Sequence, residues 1–297
     1  MSNNIDIHGL WIGKNLSKVE LLCMQSFIDN GHQFHLWAYD EIETPLPSEV
    51  IIENAEKIIK REDVFCYKNK NQFGHGKGSY AGFSDVFRYK LLYEKGGWWV
   101  DMDVVCLKHL DFDSEYVFRT HHDFAMVGNI MKCPKGSKLM LDCYNEAYKL
   151  VDADNKDWNL PISILNKYVQ KYGYERYIIE FTNPDSWHYL RKMFIGKLQA
   201  PQHWFAVHLL NEEWRRNKIN KNAIPNRSFI GKLMIKHLKT NEYKFMDLIK
   251  NYYRFIFPIK LLFPYIGFKA FLKEVKWLII RLFWETVRLV KKEKRNN

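Results

Sequence analysis

Two carboxylates one residue apart, Asp101-Met-Asp103, close the apolar run Trp98-Trp-Val. In extended chain, residues two apart leave the same face, so this spacing sets the two acids side by side with Met102 turned away. Acids converging in apolar surroundings repel each other and lose hydration, and a divalent cation removes that cost. Mg2+ or Mn2+ binds through one or two carboxylates and completes its shell with substrate phosphates, stabilising charge on a leaving diphosphate. The spacing alone is uninformative, because Asp111-Phe-Asp113 and Asp152-Ala-Asp154 share it. Those two read as solvent-exposed acids in turns.

What sets Asp101 and Asp103 apart is the chain around them. Residues 98–107 are rich in aromatic and β-branched side chains and predict one buried strand interrupted by the two acids. Just upstream, Ala81 to Glu94 has helical periodicity, with Phe83, Phe87 and Leu91 on one stripe beside Val86, and Gly96-Gly97 to stop it. Asp85 and Arg88 are i,i+3 on that helix and share a face. Alone they would be a surface ion pair worth under about 1 kcal/mol. Beside a cation site, Asp85 can accept from sugar hydroxyls while Arg88 offers a cationic fork to phosphate.

The N-terminal stretch supplies the frame. Ile5 to Gly13 reads as a strand, Ser17 to Asn30 as a helix closed by Gly31, and Phe34 to Tyr39 as a second strand. Strand, helix, strand opens a βαβ unit, which favours a parallel or mixed sheet with its ligand crevice at the strand carboxyl ends, where Trp11 to Lys14 lie. Residues 65–79 are polar, basic and glycine-rich and predict a mobile loop. Its Lys70, His75 and Lys77 are candidates to touch a diphosphate, with plain solvation the favoured reading. Residues 137–151 predict another helix.

Composition narrows the class. With 297 residues, 47% hydrophobic and 27% charged, the chain can bury a substantial core, which excludes disorder and fibrous classes. The five cysteines are scattered, with no Cys-x-x-Cys pair to clip a zinc. They read as reduced thiols, and the N-terminus has no basic region followed by an apolar core, so the expected location is the cytoplasm. Net charge is +11, and from Tyr252 onward eleven Lys/Arg face three Glu, so +8 of it belongs to the last residues. A globally basic nucleic-acid surface is excluded on that ground.

Taken together, Ala81-Gly-Phe-Ser-Asp85-Val-Phe-Arg88-Tyr, Leu92, Gly96-Gly97 and Asp101-Met-Asp103 resemble the sugar-binding, Asp-x-Asp-containing glycosyltransferases of family 32, related to the glucosyltransferase domains of clostridial toxins. The resemblance extends to His8-Gly-Leu-Trp11-Ile12-Gly13, to Phe181-Thr-Asn-Pro184, and to Ala206-Val-His208 with Trp214 beyond it, where Glu213 stands in place of the family's usual Ser. It implies an α/β GT-A fold, Rossmann-like with a mixed sheet, over residues 1–245. It also implies retaining transfer of a hexose from a UDP-sugar to an acceptor hydroxyl. Within it Asp85 and Arg88 would grip the hexose, and Asp103 with Asp101 and His208 would hold Mn2+ or Mg2+. Trp11, Ile12, Asn129 and Trp214 would contact the nucleotide sugar. His203 is the alternative to His208.

Residues 246–297 predict a helical, basic tail. Lys269, Lys273, Lys276, Arg281, Glu285, Arg288 and Lys292 recur at three to five residue steps among Phe271, Leu272, Val275, Leu278, Ile279, Leu282, Phe283 and Trp284. No uncharged run approaches the roughly 20 residues that span a bilayer. A basic amphipathic helix instead lies on an anionic membrane surface, which suits a lipid-linked glycan acceptor in surface or capsular polysaccharide assembly. A packing role on the enzyme or a second subunit is the competing reading of the tail. For the whole chain, a catalytically inactive membrane-bound scaffold or glycan-binding module is the rival from another class. A metal-dependent phosphoesterase would want more acidic or histidine ligands near residues 98–107.

Overall fold

The computed structural model describes residues 6–74, 76–196 and 198–261, with separate helical positions at 272, 275, 276, 279, 280, 283 and 287. His75 and most of the expected tail helix therefore lie outside the described residues. Within them the chain divides into two compact units, one of residues up to Asp185 with Ala200–Leu209, the other of Ser186–Gln199 with Leu210 onward. The boundary expected at 245/246 falls inside the second.

In the first unit, β1 (Asp6–Trp11), α1 (Lys18–Asp29) and β2 (Gln33–Ala38) form the expected βαβ opening, and β3 (Ile51–Asn54) follows. Ser17 starts α1 with a capping box, its hydroxyl accepting from Val19 N while Glu20 accepts from Ser17 N at 2.7 Å. The helix α2 (Ala81–Lys95) ends at Gly96, whose φ of 72° turns the chain into β4 (Gly97–Val100). Then come β5 (Val104–Cys106), β6 (Val117–Thr120), β7 (Met126–Cys133), α3 (Lys138–Leu150), α4 (Leu160–Lys171) and β8 (Ile178–Ile179).

Seven strands make one sheet in the order β3-β2-β1-β4-β7-β6-β8. The first four are mutually parallel, β7 runs antiparallel to both β4 and β6, and β8 is parallel to β6. This is the mixed α/β arrangement expected of a GT-A fold. Both faces are covered, and alternation along the strands sorts the core in two. Ile7, Phe34, Leu36, Trp98, Val100 and Ile130 pack with Cys23 and Phe27 of α1. Leu10, Trp37, Trp99 and Met131 pack with Phe83, Phe87 and Leu91 of α2 and with α3 and α4.

Two expectations are corrected here. Residues 98–107 are not one strand. Val104 N bonds back to Asp101 O at 2.9 Å, a tight turn that separates β4 from β5. β5 leaves the main sheet and pairs antiparallel with β9 (Ala206–His208). The two acids thus occupy a turn rather than one face of an extended strand. Nor is the glycine-rich loop free. Lys68 N bonds Ala153 O at 2.8 Å, Gln72 N bonds Lys156 O at 3.2 Å, and Lys68 Nζ meets Asp154 at 3.0 Å. Gln72 also donates to Asp157 at 2.7 Å and accepts from Trp158 N at 2.8 Å. Backbone donors and acceptors of the two loops satisfy each other, which no periodicity signals. Asp111, Asp113, Asp152 and Asp154 are exposed, as expected of turn acids.

The second unit comprises α5 (Trp187–Ile195), α6 (Asn211–Arg216), α7 (Phe229–Leu238) and α8 (Phe245–Leu261). Phe194 meets Trp214 and Tyr252 edge-on at 5.8 and 6.0 Å. Asn251 braces the 220–223 turn, accepting from Asn220 N and donating to Asn220 O and Ala223 O, each at 2.8 Å. Among the described residues no helix is long and apolar enough to cross a membrane.

Candidate active site around Asp101, Asp103 and His208

Arg88 is the centre of the first half of the site. It lies one helical turn after Asp85 on α2, on the face against β4 and β7, and its side chain is almost fully buried. Nη1 meets Asp85 at 2.9 Å, Nη2 donates to Asp101 Oδ1 at 2.8 Å, and the guanidinium carbon stands 5.2 Å from the Trp99 ring centre. Trp99 Nε1 donates to the same Asp101 oxygen at 2.8 Å. One oxygen of Asp101 is therefore doubly satisfied, and the side chain, 31% exposed, turns its remaining capacity outward. Asp101 N also donates to Asn129 O at 2.8 Å, which ties the turn to β7.

Burial governs the protonation of these acids. It pushes the Asp85 carboxyl up to about 6, against the pull of Arg88 and with help from Asp101. Asp101 is raised by burial too, opposed by Arg88 and reinforced by Asp103. Arg88 stays charged because Asp101 and Asp85 outweigh its own desolvation.

The second half gathers residues far apart in sequence. β9 pairs with β5 so that His208 stands opposite Val104, and Leu209 N bonds Asp103 O at 2.9 Å. That register brings His208 Nε2 to 3.2 Å from Asp103 Oδ2, both side chains nearly buried. On the far side of the ring, Nδ1 meets Asp185 Oδ1 at 2.8 Å. Burial disfavours an imidazolium, but the carboxylates of Asp185 and Asp103 on either side push His208 up to about 10. Burial would likewise raise Asp185, yet His208 and Arg119 hold it far below the usual carboxylate range. Arg119 grips Asp185 at 2.6 and 2.7 Å, and also bonds Thr182 Oγ1, Asn183 O and, at 3.3 Å, Asn129 Oδ1.

The expected residues divide accordingly. Asp85, Arg88, Asp101 and Asn129 form one connected group, and Asp103 and His208 another. Asp101, Asp103 and His208 do not, among the described residues, bring three donor atoms within 4.8 Å of one another. His121, His122 and Asp123 do. One oxygen of Asp101 is held by Arg88 and Trp99, while Asp103 and His208 face each other at 3.2 Å. A carboxylate oxygen and an imidazole nitrogen this close form a donor pair that fits Mn2+ or Mg2+.

Trp11 ends β1 at the carboxyl edge, half-buried, with Ile12 beside it. Gly13 N donates to Asp40 Oδ2 at 2.8 Å and Arg61 meets the same carboxylate at 3.1 Å, which fixes the turn that presents Trp11. Trp214 belongs to the second unit, where it is buried against Phe194. His203 is exposed and faces Glu180 at 3.4 Å, away from the Asp103–His208 pair. Trp99, Arg119 and Asp185 carry as much of the geometry as the expected residues. Only Asp185 had a sequence signal, its place directly after the Thr-Asn-Pro turn.

No curated protein matches this chain. PaToxG glycosyltransferase aligns with a TM-score of 0.40 at 12% identity, covering 84% of this chain and 83% of that one. A transferase double mutant aligns with a TM-score of 0.38 at 11% identity, over 58% of this chain and 86% of the other. The family described as "Glycosyltransferase sugar-binding region containing DXD motif" matches residues 23–120, a span holding α2, Asp85, Arg88, Asp101 and Asp103. Over those residues the chain is similar to that Asp-x-Asp sugar-binding glycosyltransferase family.

Proposed function

We propose that this enzyme transfers a hexose from a UDP-sugar to a glycan acceptor carried on a lipid, keeping the α configuration, with Mn2+ or Mg2+ required. The observation that supports the reading is the Asp85–Arg88–Asp101 chain, in which one buried guanidinium holds two carboxyls against the same face of the sheet. Arg88 orients Asp101 and adds positive potential at the hexose. Asp85, whose carboxyl sits near 6, can either accept from or donate to a sugar hydroxyl around neutral pH. Asn129 binds the hexose from β7, and Trp11 stacks near the base. Asp103 and His208 would hold the divalent cation, which when bound supplies charge stabilisation to the leaving diphosphate.

Protein purified for the test should hydrolyse one member of a UDP-hexose panel slowly with Mn2+, and Asp103→Ala should abolish it. Full activity in that variant would sink the assignment.

The same reading places the enzyme on the cytoplasmic face of a membrane, in surface or capsular polysaccharide assembly. What supports it is the +8 charge of residues 252–297 together with Leu272, Ile279, Ile280 and Phe283, which recur at helical intervals and are all exposed. Co-sedimentation with anionic liposomes should fall on removal of residues 252–297, and equal partitioning of both forms would remove the membrane claim.

A further inference from the structure

Asp185 lies outside the Asp-x-Asp motif, yet it is held from two sides by Arg119 and His208. Its Oδ1 accepts from Arg119 Nη2 at 2.6 Å and from His208 Nδ1 at 2.8 Å, while Oδ2 accepts from Arg119 Nη1 at 2.7 Å. His121 Nε2 stands 3.8 Å from Oδ2. Arg119 is buried on β6 and is itself anchored by Thr182 Oγ1 and the Asn183 carbonyl. The backbone that presents His208 is locked by the same turn, because Asn183 Oδ1 accepts from His208 N at 2.7 Å and Asn183 Nδ2 donates to His208 O at 3.1 Å. Residues 182–185 therefore fix both the main chain and the ring of His208.

A carboxylate can only accept, so the 2.8 Å contact requires a proton on His208 Nδ1. When the ring is neutral, its lone pair must then lie on Nε2, the nitrogen that faces Asp103 at 3.2 Å. Carboxylate–histidine pairing of this kind sets the tautomer and direction of a ligating imidazole and raises its basicity.

We propose that Asp185, clamped by Arg119, is the positioning residue that presents His208 Nε2 to the cation shared with Asp103. Arg119 also reaches Asn129 Oδ1 at 3.3 Å, so one guanidinium steadies the cation end and the hexose end of the site together. The inference rests on the metal-dependent reading above, and the experiment separates the two.

Mn2+ binding to the full chain, measured by electron paramagnetic resonance of the free ion with and without UDP, is compared across variants. Wild type should bind, Asp103→Asn should lose binding, and Asp185→Asn should weaken it about 10- to 100-fold. In UDP-hexose hydrolysis Asp185→Asn should raise the Mn2+ concentration for half-maximal rate by a similar factor, with kcat largely restored at saturating Mn2+. Arg119→Gln with Asp185→Asn removes both buried charges at once and should weaken Mn2+ like the single variant, which covers the case where the single variant fails to fold. Wild-type affinity in the folded Asp185 variants overturns the positioning role and leaves the transferase reading standing. Wild type without Mn2+ binding overturns the metal reading and this inference with it. Independently of any variant, imidazole NMR of the wild type with Mg2+ and UDP should show the neutral Nδ1–H form of His208, and an Nε2–H form would overturn the proposal.

Discussion

Gly128 lies on β7 directly against the Arg88 guanidinium, and its replacement by alanine tests whether that clamp is as rigid as its contacts imply. A Cβ there would stand 2.4 Å from Arg88 Nη1 and 3.3 Å from Leu165 Cδ2, against 3.4 Å or more for ordinary contact. Arg88 would have to retreat by about 1 Å. The tip of an arginine is usually free to do so, but this one is bonded at 2.9 Å to Asp85 and at 2.8 Å to Asp101 beneath the Trp99 ring. Overpacking costs about 1–3 kcal/mol and each charge-assisted bond is worth about 1.5–3 kcal/mol, so weakening one bond should give a loss of about 2–4 kcal/mol in all. At about 2–4 °C per kcal/mol, Tm should fall by about 4–16 °C. A displacement of that size in a positioning group costs on the order of 10²-fold in turnover. Differential scanning fluorimetry and Mn2+-dependent UDP-hexose hydrolysis measure both. Leu165→Ala in the same background relieves only the milder contact and should not restore turnover. A folded Gly128→Ala enzyme with wild-type turnover, or full rescue by Leu165→Ala, would refute the claim that Arg88 has nowhere to go.

The Asp85 carboxyl, raised to about 6 in the folded chain against 3.8 for an ordinary aspartate, holds its proton more tightly folded than unfolded. Its stabilising contribution is complete below about pH 4 and is lost as pH rises through 6, by about 3 kcal/mol at about 1.36 kcal/mol per pK unit, and Asp85→Asn should abolish that slope in urea titrations from pH 4 to 7. Gln72→Ala removes the side-chain bonds to Asp157 and Trp158 N and should open residues 65–79 to limited proteolysis without moving Tm by more than about 1 kcal/mol equivalent; unchanged cleavage would show that the backbone ladder alone pins the loop. Ser17→Ala breaks the capping box of α1 and should cost about 1 kcal/mol by chemical denaturation, while leaving hydrolysis at 25 °C unchanged.

Local pattern was sufficient for much of this protein. Helical periodicity with the Gly31 and Gly96 stops placed α1 and α2 to within a residue or two, because helix termination and amphipathicity are properties of neighbours in the chain. Asp85 and Arg88 share a face for the same reason, and their distance from Asp101 in sequence is short enough for one helix–strand step to bring them together. The turn at Asp101–Asp103 was not legible, since an apolar run with alternating exits reads as one strand whether or not its end switches partner. That switch is decided by β9, about a hundred residues downstream, whose pairing with β5 also delivers His208 to Asp103. Likewise Arg119 and Asp185 look like any buried-strand arginine and any turn acid until the fold sets them 2.6 Å apart with His208 on the other side. Sequence alone singled out Asp85, Arg88, Asp101 and Asp103 as candidates, because their chemistry is intrinsic to the residue type. Tertiary structure decided which of them meet, because burial, charge pairing and tautomer depend on partners that only the folded sheet supplies.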